Sequence, residues 1–245
     1  MREFILGGIS TKEFGVHVSG EDSFAVPAPR TTSQIIAGRS GDLLIWDGSY
    51  ENIMIPYPCA ILRNFEENYN AFAAFLMSKA GYQKLEDSYH PSFYRMASVA
   101  DGLDPTMYAL NRNGTFTVTF NCKPWKYLAS GDTAVTIEAE TTVENPTRYE
   151  ARPLLRVHPT ADTSTIIKFN DINIVTVSAT DAVEYIDIDC EIGECYCGDV
   201  NANGYVMFSM TSGDDDLPSL VSGTNTITNS NTAAQVLMYP RWRTI

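Results

Sequence analysis

Short runs in which apolar and polar residues alternate fill the second half of this chain. Because side chains alternate between the two faces of a β-strand, each run can bury one face. No helical spacing of apolar residues is found in this half, and the four clearest runs are Leu154 to Val157, Thr165 to Phe169, Ile172 to Val177 and Tyr185 to Ile192. Asn170 and Asp171 separate the middle two runs and suit a two-residue hairpin turn. The pattern predicts a β-sandwich.

The fourth run also carries a row of acidic residues. Its two predicted faces are an apolar one and an acidic one, formed by Ile186, Ile188, Cys190 and Ile192 and by Asp187, Asp189 and Glu191. A run of like charge normally lies in solvent. We therefore predict that the acidic row is the solvated face of a sheet.

The first half contains one segment with helical periodicity. Asn64 is followed three residues later by Glu67, as in a capping box. Apolar residues then recur at helical spacing, at Phe65, Tyr69, Phe72 and Leu76. We predict one amphipathic helix over residues 65–79, whose aromatic stripe packs into a core. Strands are predicted at Gly81 to Asp87 and at Thr115 to Phe120, the second with its aromatic residues on one face.

The run from Gly38 to Gly48 contains turns and an apolar strand but no catalytic group. Its Gly-Arg-Ser-Gly-Asp start supplies tight turns and charged rims, without a nucleophile, a set of metal ligands or a phosphate cradle. The preceding segment, Asp22 to Gln34, holds two prolines and a Thr-Thr-Ser sequence, which is typical of an exposed connection. The run therefore indicates architecture rather than catalysis.

A hairpin is predicted within and after this run. Leu43 to Trp46 and Ile53 to Ile55 flank the turn-forming sequence Asp47-Gly48-Ser49, so the two apolar segments are expected to pair. Pro56 and Pro58 are expected to end the second strand.

The length of 245 residues allows two domains, each large enough for its own core. Ser130-Gly131-Asp132 is the best boundary, which gives domains over residues 1–132 and 133–245. Residues 234–245 either finish the second domain or return to the first. The predicted fold class is mainly β: an N-terminal β-sandwich with one α-helix and a long hairpin, followed by a C-terminal β-sandwich.

The charge is distributed unevenly along the chain. Residues 1–130 hold 11 basic and 13 acidic residues, which leaves 6 basic and 17 acidic residues for the remainder and a net charge of −13 overall. Such an acidic half repels nucleic acid at long range, so sequence-specific nucleic-acid binding is not expected. No apolar stretch is long enough to span a membrane or to act as a secretory signal, so the chain is expected to fold where it is made, with its five cysteines free.

The motifs that suggest a metal or a reaction are incomplete. Asp199 to Gly204 matches the first half of a calcium loop, but Met210 stands where the bidentate glutamate is needed. Cys190, Cys195 and Cys197 lack the spacing of a structural zinc site. No Ser/His or Cys/His arrangement is visible, although thirty acidic residues leave a glycosidase-type carboxylate pair open. No catalytic residue, cofactor or metal ligand is assigned.

Several blocks of the sequence resemble the distal tail proteins of long-tailed phages. They occur in the same order as in that family: Phe14-Gly15-Val16, Gly38 to Gly48, Tyr57-Pro58, the predicted helix, Gly81 to Asp87, His90-Pro91, Phe120 to Pro124, Leu217-Pro218, Gly223 to Ile227 and Tyr239 to Trp242. The resemblance implies a structural hub without catalytic activity, in which six copies form a ring between the tail tube and the tail tip. It also implies a galectin-like shape for the C-terminal domain.

The same resemblance implies partners and a location. The partners are further copies of the chain, the tail tube protein, the tape measure protein, the tail-associated fibre or lysin protein and, at the periphery, receptor-binding proteins. The location is the tail tip of the virion, after synthesis in the cytoplasm of the bacterial host.

We further hypothesise that the turn-rich segment from Arg39 to Tyr57 lies at or near the contact between subunits. A strand-forming segment with charged rims suits sheet pairing between neighbours in a closed ring. The residues assigned to this contact are Arg39, Asp42, Trp46, Asp47, Tyr50, Glu51 and Tyr57. The alternative is that this segment only closes a turn within one subunit.

A different function stays open at this point. A galectin-like sandwich suggests a carbohydrate-binding module of a phage or cell-surface protein, with Trp125, Trp242 or the tyrosines stacking on sugar rings.

Overall fold

The alternation that begins near Thr115 continues through a strand of 16 residues, Asn113–Leu128. The computed structural model describes residues 2–20, 24–108, 112–210 and 217–245. The chain forms two units, one that runs up to Lys126 and also includes Ile245, and one that runs from Tyr127 to Thr244.

Unit 1 is built from ten strands and one helix in the part of the chain that is described. The strands are β1 (Phe4–Leu6), β2 (Ile9–Ser10), β3 (Val16–Val18), β4 (Pro29–Gln34), β5 (Leu43–Tyr50), β6 (Ile53–Ile61), β7 (Gln83–Asp87), β8 (Phe93–Val99), β9 (Thr106–Tyr108) and β10 (Asn113–Leu128). The helix α1 (Phe65–Met77) lies between β6 and β7 in the chain. A short 3₁₀ helix covers Thr11–Phe14.

The main sheet of this unit curls until its two ends meet. Its strands follow the order β2-β1-β7-β8-β10-β6-β3, and β9 also pairs with β10. A bridge between Arg2 and Val18 joins the β1 end to the β3 end. The ring of Phe4 consequently packs across the interior on Phe120, with ring centroids 5.1 Å apart. Two layers around one core therefore arise from a single curled sheet.

The helix closes this core with its aromatic stripe. Phe65, Phe72 and Leu76 are fully buried, and the Phe72 ring lies 5.7 Å from that of Phe116 in β10. The predicted helix and its buried face are thereby confirmed. The predicted capping box is wrong: Asn64 has a left-handed backbone conformation, with φ of 50°, and its side chain makes no cap hydrogen bond.

The close packing of helix and sheet gives a stability prediction. A Cβ added at Gly114 would lie 2.5 Å from the Phe65 ring and 2.8 Å from the Thr106 carbonyl oxygen. We expect Gly114→Ala to lower the free energy of unfolding by about 1–3 kcal/mol, because overpacking forces neighbouring groups apart. Gly102→Ala meets open space and should change it by less than about 0.5 kcal/mol. Equal melting temperatures for the two variants would contradict this prediction.

The hairpin predicted between Leu43 to Trp46 and Ile53 to Ile55 is wrong. β5 pairs instead with β4, so that part of the segment expected to be an exposed connection is a strand; its residues Asp22 and Ser23 lie outside the described residues. β6 enters the main sheet and pairs with β10 over nine positions, from Ile53↔Cys122 to Ile61↔Gly114. Strand pairing depends on distant partners, which a local turn signal does not identify.

The two prolines that were expected to end β6 lie inside it. The carbonyl oxygen of Pro58 accepts a hydrogen bond from the Ser19 backbone, so residue 58 points its backbone groups toward the β3 edge. Residue 56 points the same way, since strand residues two apart share an edge. β3 covers only Cys59 to Ile61. The missing proline N–H groups therefore remove no hydrogen bond to β10.

Unit 2 is a sandwich of two antiparallel sheets, as the sequence predicts. Its strands are β11 (Val135–Thr136), β12 (Glu140–Asn145), β13 (Leu154–His158), β14 (Thr165–Phe169), β15 (Asn173–Val177), β16 (Ile186–Asp189), β17 (Glu194–Cys197), β18 (Val200–Asn201), β19 (Val206–Met210), β20 (Gly223–Asn229), β21 (Gln235–Tyr239) and β22 (Arg243–Thr244). Two 3₁₀ turns cover Ala129–Asp132 and Asn203–Tyr205.

The two sheets of unit 2 enclose one apolar core. One sheet has the order β11-β21-β13-β16-β17-β18, and the other has the order β12-β20-β14-β15-β19. The fully buried core residues include Leu155, Ile167, Val175 and Ile188. The Asn170-Asp171 turn is confirmed: both residues have positive φ, and the Ile172 N–H donates to the Phe169 carbonyl. The mainly β fold class is likewise confirmed.

The acidic row of β16 is not the solvated face that its charge predicts. Asp187 and Asp189 are only 5% and 9% exposed. Arg156 donates Nε and Nη2 to the Asp187 carboxylate, each at 2.7 Å, and Arg241 donates Nη1 to both oxygens of Asp189 at 2.9 Å. Ile192, expected on the apolar face, is exposed because β16 ends at Asp189. The apolar side of the alternation is otherwise confirmed.

Candidate interaction surface

A two-stranded hairpin, which we call the arm and define as Pro29 to Tyr50, stands apart from the main sheet. Within the described residues β4 and β5 pair only with each other. Every residue of β4 is exposed, as is most of β5. Two strands alone bury too little apolar surface to be stable by themselves. A second surface is therefore expected to cover this arm.

Both faces of the arm carry exposed apolar side chains. Leu44 and Trp46 lie on one face, 67% and 53% exposed, and Ile45 lies on the other at 49%. Ile35, just beyond β4, is 83% exposed. Adjacent apolar groups of this size on a protruding hairpin are characteristic of a contact surface rather than of scattered surface residues.

The tip of the arm is shaped by glycines and a local hydrogen bond. Gly38 and Gly41 have φ of 79° and 83°, a conformation that a residue with a Cβ rarely adopts. The Arg39 N–H donates to the Ile36 carbonyl, and the Ser33 hydroxyl donates to the Asp42 carboxylate. The exposed charges of Arg39 and Asp42 therefore lie on a defined turn.

The base of the arm is fixed by aromatic rings. The Trp46 and Tyr50 ring centroids are 5.7 Å apart, and the Tyr50 ring lies 5.6 Å from Trp125 on β10. The Asp47 carboxylate accepts hydrogen bonds from the side chain and backbone of Ser49, which lowers the pKa of Asp47. These contacts tie the arm to its own unit and give it a defined direction.

The structure brings together most of the residues assigned to the contact. Arg39, Asp42, Trp46, Asp47 and Tyr50 belong to the arm, and Glu51 follows it at an exposed position. Tyr57 does not join them.

Tyr57 lies in the core of unit 1, 6% exposed, and its hydroxyl donates to Asp87 at 2.6 Å. Burial raises the pKa of this phenol, with the Asp87 charge adding to the effect. Sequence reasoning also missed Ile35, Leu44 and Ile45. In the sequence these residues form a run of adjacent apolar residues beside glycines. A buried strand gives the same pattern, so the pattern does not identify a contact surface.

The cysteines and the metal-ligating side chains do not form a reactive or metal-binding site in the described residues. All five cysteines are free, and burial raises the pKa of Cys59 and of Cys122 to about 12, so these thiols stay protonated at neutral pH. No group of three metal-ligating side chains occurs in the part of the chain that the structure covers. Over the same residues, no helix is long and apolar enough to cross a membrane.

Of the two tryptophans proposed for sugar stacking, one is buried and the other is half-buried. Trp242 is 7% exposed within the core of unit 2. Trp125 packs against Tyr50 at the base of the arm. A sugar ring needs an exposed aromatic face, so Trp242 cannot serve in this conformation.

Comparison with known proteins identifies the fold. No protein-family model and no curated protein matches the chain. Among solved structures, the "SPP1 Dit (gp 19.1) Protein, a Paradigm of Hub Adsorption Apparatus in Gram-positive Infecting Phages" matches with a TM-score of 0.68 at 12% identity, over 97% of this chain and 98% of that chain.

Two further matches are chains of the phage P2 baseplate in its activated conformation, with Ca and with Sr. Their TM-scores are 0.56 and 0.53 at 12% and 13% identity, and 97% of both chains is covered in each case. The similarity includes both units of the chain rather than one common module. The chain therefore has the fold of the phage Dit and baseplate hub proteins, which confirms at the level of the fold the resemblance drawn from its sequence.

Proposed function

We propose that this chain is a structural distal tail protein, the hub that joins the tail tube of a long-tailed phage to the tip and its adsorption apparatus. The observation that carries this proposal is the match to SPP1 Dit over nearly the full length of both chains. A shared sandwich alone would be weak support, since sandwiches serve many functions. Here the match covers 97% of this chain, which includes both the curled sheet of unit 1 and the sandwich of unit 2.

In this proposal six copies form a ring, and the arm contributes to the contact between neighbours. The arm has exposed apolar residues on both faces and charged groups at its tip. Burying such a hairpin against a neighbour would remove its free edges from solvent. In a closed ring the arm of every copy is covered in the same way, because the same two surfaces meet at each contact.

The further partners follow from the hub role. They are the tail tube protein and tape measure protein on one side, the tail-associated fibre or lysin protein on the other, and receptor-binding proteins at the periphery. The protein acts at the tail tip of the virion, after synthesis in the host cytoplasm, and has no catalytic part in this role.

Imaging of the purified protein tests the proposal. Negative-stain electron microscopy should show rings with sixfold symmetry, and light scattering on a sizing column should give six times the mass of 27.1 kDa. A monomer at all concentrations that binds sugars on a glycan array would overturn the proposal in favour of a carbohydrate-binding module.

Exchange of the charges at the tip of the arm tests its place in the contact. We expect Arg39→Glu with Asp42→Lys to leave a folded monomer, because both charges would then face their partners with the wrong sign. The matched control is Arg63→Glu with Glu67→Lys, which exchanges two exposed charges at the start of α1 and likewise leaves the net charge unchanged. Rings that elute unchanged from a sizing column after the arm exchange would contradict this assignment.

A further inference from the structure

A cavity of about 190 Å³ in unit 1 has an arginine in its wall. Many of the wall residues are aromatic or aliphatic, among them Phe24 and Phe93. Arg95 lies beside them, and the other charged or titratable lining residues are Asp87, His90 and Lys126. Arg95 belongs to β8, opposite Leu85 of β7. This cavity plays no part in the arm or in the contact proposed above.

Arg95 is nine-tenths buried yet almost without partners. It is 9% exposed, and among the described residues its guanidinium makes one hydrogen bond, from Nη1 to the Pro124 carbonyl oxygen at 3.1 Å, and no ion pair. A guanidinium carries five N–H donors. Burial without a counterion is costly, so such a group is normally paired with an anion.

The neighbouring acidic groups do not supply that anion. Burial keeps Cys122 and Tyr57 protonated by raising the pKa of each group. The Asp87 carboxylate accepts three hydrogen bonds, from the Tyr57 hydroxyl and the backbone N–H groups of Tyr89 and His90, at 2.6 to 2.9 Å. Its Oδ1 also lies 3.9 Å from Nδ1 of the His90 ring. Asp87 attracts Arg95 through space without forming an ion pair within 4.0 Å.

The size of the cavity limits what it can hold. Pockets for drug-sized ligands measure roughly 300–1,000 Å³, so this one suits a single amino-acid side chain. Because the apolar walls lie next to the arginine, a ligand that fits both must carry an apolar side chain and an anionic group on the same residue. The end of a polypeptide chain enters a partly closed cavity more easily than an internal acidic residue does. An internal residue has backbone on both of its sides, and the cavity would have to accommodate both.

We propose that this cavity binds the carboxyl-terminal residue of a partner polypeptide, with an aromatic or aliphatic side chain against the apolar walls and its carboxylate on the Arg95 guanidinium. A guanidinium and a carboxylate form paired, charge-assisted hydrogen bonds. No residue of the arm lines this cavity, and the proposal does not depend on ring formation.

Binding of N-acetyl-phenylalanine to the full-length protein tests this site. Titration followed by NMR should show saturable binding, and the neutral N-acetyl-phenylalanine amide should bind at least about tenfold more weakly, because it lacks the charge-assisted hydrogen bonds. An internal acidic residue is represented by N-acetyl-aspartyl-phenylalanine amide. Stronger binding of that peptide than of N-acetyl-phenylalanine would overturn the assignment to a chain end.

Two variants connect the binding to the cavity. Arg95→Met removes the charge while retaining a long side chain. It should lower the affinity for N-acetyl-phenylalanine to that for the neutral amide. Ala25→Trp, at a half-buried position in the cavity wall, should abolish binding of both compounds with the fold retained. Equal affinities for acid and amide in the parent protein, or full affinity in Ala25→Trp, would overturn the proposal.

One further variant asks whether the chain itself supplies the anion. Glu21 and Asp22 precede Phe24 in the sequence. Binding of N-acetyl-phenylalanine that occurs only after Glu21→Gln with Asp22→Asn would overturn the partner assignment, since the guanidinium would then be matched by this chain.

Discussion

Leu44→Asp with Trp46→Asp is expected to convert the proposed ring into a folded monomer. The two side chains lie on one face of the arm and are more than half exposed in the isolated chain. Leu44→Asp therefore disturbs little within the subunit, whereas Trp46→Asp also removes the ring contact with Tyr50 and the hydrogen bond to the Ser49 carbonyl. At the proposed contact each substitution replaces a buried apolar side chain by a carboxylate that has no partner. Burial of each side chain contributes about 1.5–3 kcal/mol, and burying a carboxylate without a partner adds a further cost.

The expected effect is large because it is repeated at every contact of the proposed closed ring. Mass photometry or light scattering over a range of protein concentrations measures the change directly. The far-ultraviolet circular dichroism spectrum and the transition of unit 2 should be unchanged. Because Trp46 also packs on Tyr50, Leu44→Asp alone is the milder variant that leaves the base of the arm intact.

The matched control places the same charge elsewhere. Val200→Asp with Met207→Asp replaces two exposed apolar side chains of unit 2, 67% and 61% exposed, by carboxylates. That variant should retain the ring. If the control and the arm variant dissociate alike, net charge rather than burial of the arm controls assembly, and the proposed contact is incorrect.

The arm also shows how far the sequence predicts the fold. The apolar residues from Leu43 onward correctly indicate a strand, and the glycines correctly indicate turns. The partner of that strand was predicted from the nearest turn signal, Asp47-Gly48-Ser49. In the structure Gly48 has a φ of 85° and lies inside β5, where the register with β4 shifts. A bulge and a hairpin turn use the same residues.

Periodicity was most informative where one face of an element is buried. In α1 and β10 the apolar spacing alone identifies the packed side chains, such as Phe72 and Phe120, which are fully buried. The cavity beside Arg95 had no such signal. It is assembled from segments as distant in sequence as Val18 and Lys126, and no local pattern marks residues that meet only after the sheet has curled.

The acidic row of β16 failed as a prediction for the same reason. Its alternation gives the two faces correctly, but the arginines that neutralise the acidic face come from β13 and from a position after β21. Arg241 has a φ of 53°, an uncommon conformation for a side chain of this size. A charge pattern read along one strand does not contain these partners, so it cannot separate a solvated face from a paired one.

Asp189→Ala is expected to destabilise unit 2 strongly. It leaves the Arg241 guanidinium, whose side chain is 22% exposed, without its counterion. It also removes the oxygen that accepts the Glu191 N–H at 2.9 Å. Breaking a buried ion pair from one side costs about 3–5 kcal/mol, a large share of the roughly 5–15 kcal/mol that stabilises a typical domain.

Asp187→Ala is the matched control two residues away on the same strand. Its partner Arg156 has a side chain that is 35% exposed, so that guanidinium regains water when the carboxylate is lost. The expected loss is about 1–2 kcal/mol. Urea unfolding should be followed by a signal of unit 2, since two units need not unfold in one transition. Equal losses in the two variants would show that burial of the arginine does not set the cost.

Removal of both charges separates the pair from its surroundings. Asp189→Leu with Arg241→Met should recover most of the stability lost in Asp189→Ala, because neither charge then remains buried without a partner. If the double variant does not recover stability, the loss in Asp189→Ala comes from the backbone turn at Arg241 and the Glu191 hydrogen bond. It would then not come from the unpaired charge. Because this pair lies in unit 2 and the arm in unit 1, Asp189→Ala should still form rings at temperatures at which unit 2 remains folded.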